Sequence, residues 1–502
     1  MNLYARIHAS LQRHARKTLI QTGERSISGE QLAGDVGRFA GALVSLGVRP
    51  GDRVAVQVEK SYENVLLYLA TLQAGAVYLP LNTAYQALEV KYFLRDASPR
   101  VFVCTPQRGF ELRRIGTECG VEQVLTLGTQ ADGCVVEQMQ RTAPLSSIAQ
   151  RAADDLASIC YTSGTTGRSK GAMITHANLL SNAETLVQLW GFTSNDVLLH
   201  ALPLYHIHGL FVALHCALLS GARILLQPKF DARIALDSLK QATVMMGVPT
   251  FYTRLLSEPT LDREAVRNVR LFVSGSAPLL AETFDEFEQR TGQRILERYG
   301  MTETQMISSN PLQGERRPGT VGLPLPGVSV RIADDKGSPV AQGAIGIVEV
   351  KGPNVCKGYW QMAEKTAAEI RPDGYFITGD MGQLEADGYL RLVGRAKDLI
   401  ISGGLNVYPK EIEEAIDALD GVIESAVFAI PHPDFGEAVA AAVTLKPGTT
   451  LQADAIVTKL RAQLAAFKTP KVVYVVDELP RNAMSKVQKN VLREKYADRF
   501  RS

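Results

Sequence analysis

Strand-like and helical stretches alternate through the first part of this chain, and that alternation limits the fold more than any other feature. Val54-Ala-Val-Gln-Val has strand character, Asn64 to Ala74 helical character, and Ala76-Val-Tyr-Leu-Pro and Arg100-Val-Phe-Val return to strand. Parallel strands need a crossover long enough to hold a helix, so the pattern predicts α/β layers around a largely parallel sheet. At 502 residues the chain exceeds what one core usually organises, which predicts at least two domains. Near Asp380 the texture shifts to Gly-punctuated short strands, Gly388-Tyr-Leu-Arg-Leu-Val-Gly394, followed by the charged turn Arg395-Ala-Lys397-Asp398. A hinge is expected there. Beyond it, Pro409 opens a helix at a position where proline is tolerated, and Val422 to Ile430 and Val472 to Val476 read as strands. These elements make a compact α+β lid, of roughly 100 residues by the usual size of small domains.

The segment from Tyr161 to Lys170 carries the chemistry. Thr162, Ser163, Gly164, Thr165, Thr166, Gly167 and Lys170 combine glycines, hydroxyls and an ammonium in one short loop. Gly164 and Gly167 let the backbone approach phosphate oxygens and turn its N–H groups inward, while the hydroxyls and Lys170 add donors and charge. A nucleotide triphosphate suits such a loop. The spacing is not that of the common P-loop, which needs four residues between its first glycine and a Gly-Lys-Ser/Thr ending.

Other features narrow the class of protein. A formal net charge of +2 gives no bulk attraction to nucleic acid or anionic membranes. Cys104, Cys119, Cys134, Cys160, Cys216 and Cys356 are scattered without a Cys-x-x-Cys pair, the pattern of reduced, metal-free cytoplasmic proteins. Arg6, Arg13, Arg16 and Lys17, with no acid before Glu24, superficially match a mitochondrial presequence, but Leu3, Ile7 and Leu11 have the spacing of an amphipathic first helix of the domain. No apolar run reaches the roughly 18 residues needed to span a bilayer.

Three further residues are ambiguous singly. Lys486 lies on a polar turn flanked by Arg481 and Lys489, Asp380 follows a glycine as turn aspartates do, and Glu303 could be a helix-start carboxylate. Their joint order is specific: the phosphate loop, Tyr299-Gly-Met-Thr-Glu303, Gly319-Thr-Val-Gly322-Leu-Pro-Leu-Pro-Gly327, Asp380, Arg395-Ala-Lys-Asp, Gly403-Gly404-Leu-Asn-Val-Tyr-Pro-Lys-Glu-Ile-Glu413 and Lys486. From about residue 3 to 497 the chain resembles the adenylate-forming superfamily of acyl-CoA synthetases, peptide-synthetase adenylation domains and luciferases, which leaves no room for a presequence.

The resemblance implies a large N-terminal domain, 1–396, of layered α/β subdomains and a mobile α+β lid, 397–502, pivoting at Lys397. It implies ATP, Mg²⁺ and coenzyme A as ligands, the loop residues above as the phosphate cradle, and Ala277, Pro278, Glu297, Tyr299, Gly300, Met301 and Thr302 as the nucleotide's other neighbours. Tyr299 would stack on adenine, Asp380 and Arg395 would hold the ribose hydroxyls, and Thr302 would touch the α-phosphate. Glu303 with Thr162 would hold Mg²⁺, as hard oxygen ligands suit it. Lys486 would bridge the acyl carboxylate and phosphate oxygens, His206 would act in the acyl site, and Ser402, Gly403 and Gly404 would line the path of CoA. Ser485 stands where the family usually has glycine before this lysine.

Arg298 bears on the acid. Relatives that activate fatty or aryl acids usually carry a small or neutral residue there, whereas a fixed guanidinium calls for an anionic acyl tail. With Val273-Ser-Gly-Ser276-Ala-Pro and Leu202-Pro-Leu-Tyr-His206-Ile207-His208-Gly, the set resembles the malonyl-CoA synthetases of the superfamily. Ser276 would bind the distal carboxylate beside Arg298, and Ile207 and Met306 would wall the C2 position, with Ile207 in place of the usual Thr or Val. The expected substrates are malonate or methylmalonate, with no nucleic-acid or membrane partner and a monomer or homodimer as the assembly. The alternative within the same chemistry is a CoA ligase for another short carboxylic acid, and two readings from other classes fit less well. An amino-acid activator would place an acid in the Tyr205–His208 stretch to hold an ammonium group, and a non-catalytic relative would lack Lys486, Glu303 or Asp380.

Overall fold

A computed structural model describes residues 2–162, 169–402, 405–433, 435–461, 463, 464, 466–482 and 486–500. The chain divides into two compact units, one of residues 1–329 and 350–376, the other of residues 330–349 and 377–502.

The first unit is built on two sheets of α/β type. In the six-stranded sheet the order is Gln123–Thr126, Val101–Cys104, Arg53–Gln57, Val77–Pro80, Leu156–Thr162 and Lys170–Thr175, with only the last strand antiparallel to its neighbour. Val101–Cys104 and Val77–Pro80 are buried along their whole length, which is why they read as continuous apolar runs rather than alternating ones. Nine strands form the other sheet, and its parallel middle contains Val197–His200, Val244–Gly247, Leu271–Ser274 and Leu296–Met301. Gln305–Ser309 returns antiparallel against Leu296–Met301, so Tyr299 to Met306 forms a tight reversal at that sheet's side. The first helix, Leu3–Arg13, buries Leu3, Ile7 and Leu11, and the Asn2 side chain accepts the Tyr4 N–H at its start.

The second unit holds a four-stranded sheet, Ser329–Ala333, Gly346–Lys351, Phe376–Leu384 and Leu390–Arg395, and a five-stranded one. It therefore begins upstream of Lys397, because the four-stranded sheet draws residues 330–349 and 377–395 into it. In the five-stranded sheet the long hairpin Val422–His432 and Gly436–Leu445 pairs through Gly436–Leu445 with both Ile400–Ser402, at Gly436, and Val472–Val475, at Ala440 to Val443. The helix Pro409–Asp417, with proline in its first turn, turns Ile412 and Ile416 into the core with Val427, Val439 and Leu460. Among the described residues no helix is long and apolar enough to cross a membrane.

Candidate active site

Arg298 lies on the strand Leu296–Met301 and is 3 % exposed. Its Nε and Nη2 have no hydrogen-bond partner, and no carboxylate pairs with it among the described residues. Burial pushes the guanidinium down to about 9, with the Tyr252 phenol opposing, so it stays a cation at neutral pH. The strand Leu271–Ser274 runs parallel beside it and delivers Gly275 directly against the guanidinium: a Cβ there would lie 2.4 Å from Cζ and Nη1. Gly275 is thus required by close approach, and any side chain would displace Arg298. The next residue, Ser276, has φ +72°, a left-handed conformation that costs a non-glycine residue about 1–3 kcal/mol and turns the hydroxyl towards His208.

His208 completes this cluster. Its Nδ1 lies 3.4 Å from Ser276 Oγ, its Nε2 has no partner, and it is 1 % exposed. Burial, then the charge of Arg298, hold its pKa well below the usual value, so the ring is neutral. Ser276 Oγ and His208 Nδ1 share this contact, which leaves Nε2 as the buried ring nitrogen without a partner. Arg298 therefore holds unsatisfied donors, and His208 an unsatisfied ring nitrogen, in buried positions, and such buried donors are where an anion is recognised. Ile207 is 4 % exposed and Met306 fully buried, while His206 is half-buried and its Nδ1 accepts the His208 N–H at 3.3 Å. The Met306 methyl sits against Gly300, where a Cβ would be 2.6 Å from it.

A second cluster gathers around Glu303. Thr162 Oγ1 and the Tyr359 hydroxyl both lie on its Oε1, at 3.3 and 3.1 Å. The carboxyl is 4 % exposed, and burial raises its pKa. Tyr359 arrives because the segment 356–360 runs beside the strand Lys170–Thr175, with a bridge from Ala172 to Tyr359 and a bond from Trp360 N to Gly171 O of 2.8 Å. Lys170 donates to Glu369 at 2.9 Å and to the Tyr359 hydroxyl at 3.2 Å, and Tyr359 in turn donates to Glu369. Tyr359 and Glu369 escaped the sequence reading. The only cue to Tyr359 is its glycine-tyrosine-tryptophan setting, and Glu369 joins Lys170 across 199 positions. No group of three or more His, Cys, Asp or Glu placed to hold a metal ion by themselves occurs among the described residues. One buried carboxylate and one hydroxyl fit Mg²⁺ that takes its remaining oxygens from phosphates and water. Around these clusters Glu297 and Tyr299 are buried, Gly300, Met301 and Thr302 partly exposed, and Ala277 and Pro278 exposed.

In the second unit Asp380 and Arg395 are directly opposed across the strands Phe376–Leu384 and Leu390–Arg395, and Arg395 Nε meets Asp380 Oδ1 at 2.7 Å. Lys397 sits in the single turn Ala396–Asp398 that follows, Ser402 is buried at the end of its strand, and Lys486 is exposed. Ser163, Gly164, Thr165, Thr166, Gly167, Gly403, Gly404 and Ser485 lie outside the described residues.

Known proteins match the whole chain. The family model of the AMP-binding enzymes covers residues 7–360, and that of the AMP-binding enzyme C-terminal domain covers residues 411–486. The ATP-bound structure of MatB from Rhodopseudomonas palustris is 52 % identical and superimposes with a TM-score of 0.97, over 100 % of this chain and 99 % of that one. Indoleacetate–CoA ligase of Aromatoleum aromaticum is 34 % identical, over 97 % of this chain and 96 % of that protein. Malonate–CoA ligase of Arabidopsis thaliana is also 34 % identical, over 89 % of this chain and 78 % of that protein. Equal identity to proteins named for an aromatic acid and for a dicarboxylic acid leaves the choice of acid to particular side chains.

Proposed function

The chain belongs to the AMP-binding enzyme family as an AMP-forming acid–CoA ligase, and we propose that its acid is malonate, with methylmalonate second. The observation that carries this reading is the buried, unpaired guanidinium of Arg298 beside the free Nε2 of His208. A neutral acyl tail would leave the guanidinium orphaned, whereas a distal carboxylate satisfies it. Ser276 is the third polar group of the cluster. Ile207 and Met306, both buried, leave C2 little room for a methyl group.

In the first half-reaction an oxygen of the proximal carboxylate forms a bond to the α-phosphorus of ATP. The bond from that phosphorus to its bridging oxygen breaks, and pyrophosphate departs with the electron pair. Two anions must meet, so the protein's task is positioning and charge neutralisation. Thr302 and Lys486 serve the α-phosphate and the acyl carboxylate, Lys170 and residues 163–167 the outer phosphates, and Tyr299, Asp380 and Arg395 the nucleoside. Ala277, Pro278, Glu297, Gly300 and Met301 line the nucleotide, and His206 borders the acid. Glu303 and Thr162 would hold Mg²⁺, which neutralises phosphate charge when bound. In the second half-reaction the CoA thiolate attacks the acyl carbon and AMP leaves, with Ser402, Gly403 and Gly404 along the path of the thiol. A lid, 397–502, that pivots at Lys397 between the half-reactions withdraws Lys486 and spares one site from serving two transition states.

Two measurements test this. Pyrophosphate release and thioester formation across malonate, methylmalonate, acetate, propionate, butyrate and a medium-chain fatty acid should show malonate fastest and methylmalonate next. A preference for acetate or the fatty acid overturns the dicarboxylate reading. Lys397→Pro fixes φ at the pivot, so thioester formation should stop while ATP–pyrophosphate exchange continues. Both steps running at the native rate would place the pivot elsewhere.

A further inference from the structure

We propose that Glu413 and Glu424 are positioning residues for Lys486, which they hold in place through ion pairs to Lys489 and Arg481 on either side of its turn. The proposal rests on the reading of Lys486 as the lysine of adenylate formation. A lysine has a four-carbon stem of freely rotating bonds and presents a point charge, so its useful position depends on how firmly its backbone is fixed.

The neck of the turn is closed on itself. Arg481 bridges Val487 in antiparallel fashion, Gln488 N donates to Pro480 O at 2.7 Å, and Asn482 N donates to Lys486 O at 2.9 Å. The Asn482 side chain accepts the Lys486 N–H at 3.0 Å. These bonds shape the turn, but none ties it to the rest of the unit.

The two ion pairs supply that tie. On one side Arg481 Nη2 meets the carboxylate of Glu424, on the strand Val422–His432. On the other, Lys489 Nζ lies 2.6 Å from Glu413 Oε1, both side chains being 18 % exposed. Glu413, on the helix Pro409–Asp417, is fixed in turn because the same Oε1 accepts the Val427 N–H at 2.8 Å. One carboxylate thus joins a helix, the central hairpin and the base of the lysine turn.

Helix electrostatics argue that Lys489 is there for this contact. It is the first residue of the helix Lys489–Tyr496, whose first turn has no acid. A cation at that end opposes the helix dipole, and only a partner elsewhere makes it favourable. The helix itself is anchored by buried Leu492 and by Tyr496, which stacks on Tyr474 at 3.7 Å between ring centroids.

The test compares half-reactions in wild type, Lys489→Met, Glu424→Gln, Lys489→Arg and Lys486→Ala, using malonate and, for the second step, supplied malonyl-adenylate with CoA. Displacing a reacting group by about 1 Å costs on the order of a hundredfold, so Lys489→Met should lower the rate of ATP–pyrophosphate exchange by about ten- to a hundredfold. Glu424→Gln, at the more exposed pair, should lower it less. Thioester formation and the KM for ATP should stay within about threefold of wild type, because Lys486 is withdrawn from that step. Lys489→Arg should restore exchange. Equal loss in both half-reactions would mean that the pairs only stabilise the unit, and would overturn the proposal. So would unchanged exchange in both Lys489→Met and Glu424→Gln while Lys486→Ala abolishes it. Intact exchange in Lys486→Ala would remove the reading of Lys486 itself, and the proposal with it.

Discussion

Arg298→Ala is expected to lower kcat/KM for malonate by about 10³ to 10⁴ while leaving the KM for ATP near its wild-type value. Opposite charges ~4 Å apart at an effective dielectric of ~20 attract by about 4 kcal/mol, roughly three decades in rate or affinity. The distal carboxylate would then lie beside a neutral hole with only His208 and Ser276 as partners, which adds to the loss. The proposed mechanism assigns ATP to other residues, so its KM reports whether the fold survived. Acetate has no distal charge, so its slow turnover should not fall with malonate's, and the ratio between the two acids should collapse. Steady-state thioester formation by both proteins with both acids checks this, and malonate activity within tenfold of wild type would remove Arg298 from substrate recognition.

The same residue carries a stability consequence of opposite sign. An unpaired cation at 3 % exposure is unfavourable to the unliganded fold, and its Nε and Nη2 hold no bonds that a substitution would break. Arg298→Met keeps most of the volume and removes the charge, so the unliganded Tm should rise as malonate turnover disappears. Such a trade of stability for activity is characteristic of groups kept for a ligand.

Much of the architecture was legible because it depends on local rules. Proline in a first helical turn marked the helix from Pro409, apolar runs of four residues marked the buried parallel strands, and the spacing of Leu3, Ile7 and Leu11 marked the first helix. What escaped depends on register and on distant contact. The opposition of Asp380 and Arg395 follows from the pairing of two strands, which no single strand encodes. The meeting of Lys170 with Glu369 needs the segment 356–360 laid along another strand. Gly275 was visible only as a glycine after a strand, and its purpose emerges from the guanidinium 2.4 Å from where its Cβ would be. The second unit starts earlier than the charged turn at Arg395 suggests, because chain texture changes at the end of the four-stranded sheet rather than at its beginning.

The second large effect is expected from Lys486→Ala, which should reduce malonyl-adenylate formation by about 10² to 10³ yet leave thioester formation from supplied adenylate close to wild type. Adenylation brings a carboxylate against a polyanion, and Lys486 is the charge assigned to the oxygens exchanged between them. Once pyrophosphate has left, the attacking group is a thiolate and the leaving group is AMP. A lysine left in the site would then occupy space the thiol needs. Losing it should therefore harm one step and not the other. Thioester formation from supplied adenylate serves as the control for misfolding, because an unfolded variant would lose both steps. ATP–pyrophosphate exchange reports the first step, and a single-turnover reaction of malonyl-adenylate with CoA reports the second. Equal damage to both would show that one arrangement of Lys486 serves both half-reactions, and the two-conformation mechanism would not hold for this enzyme.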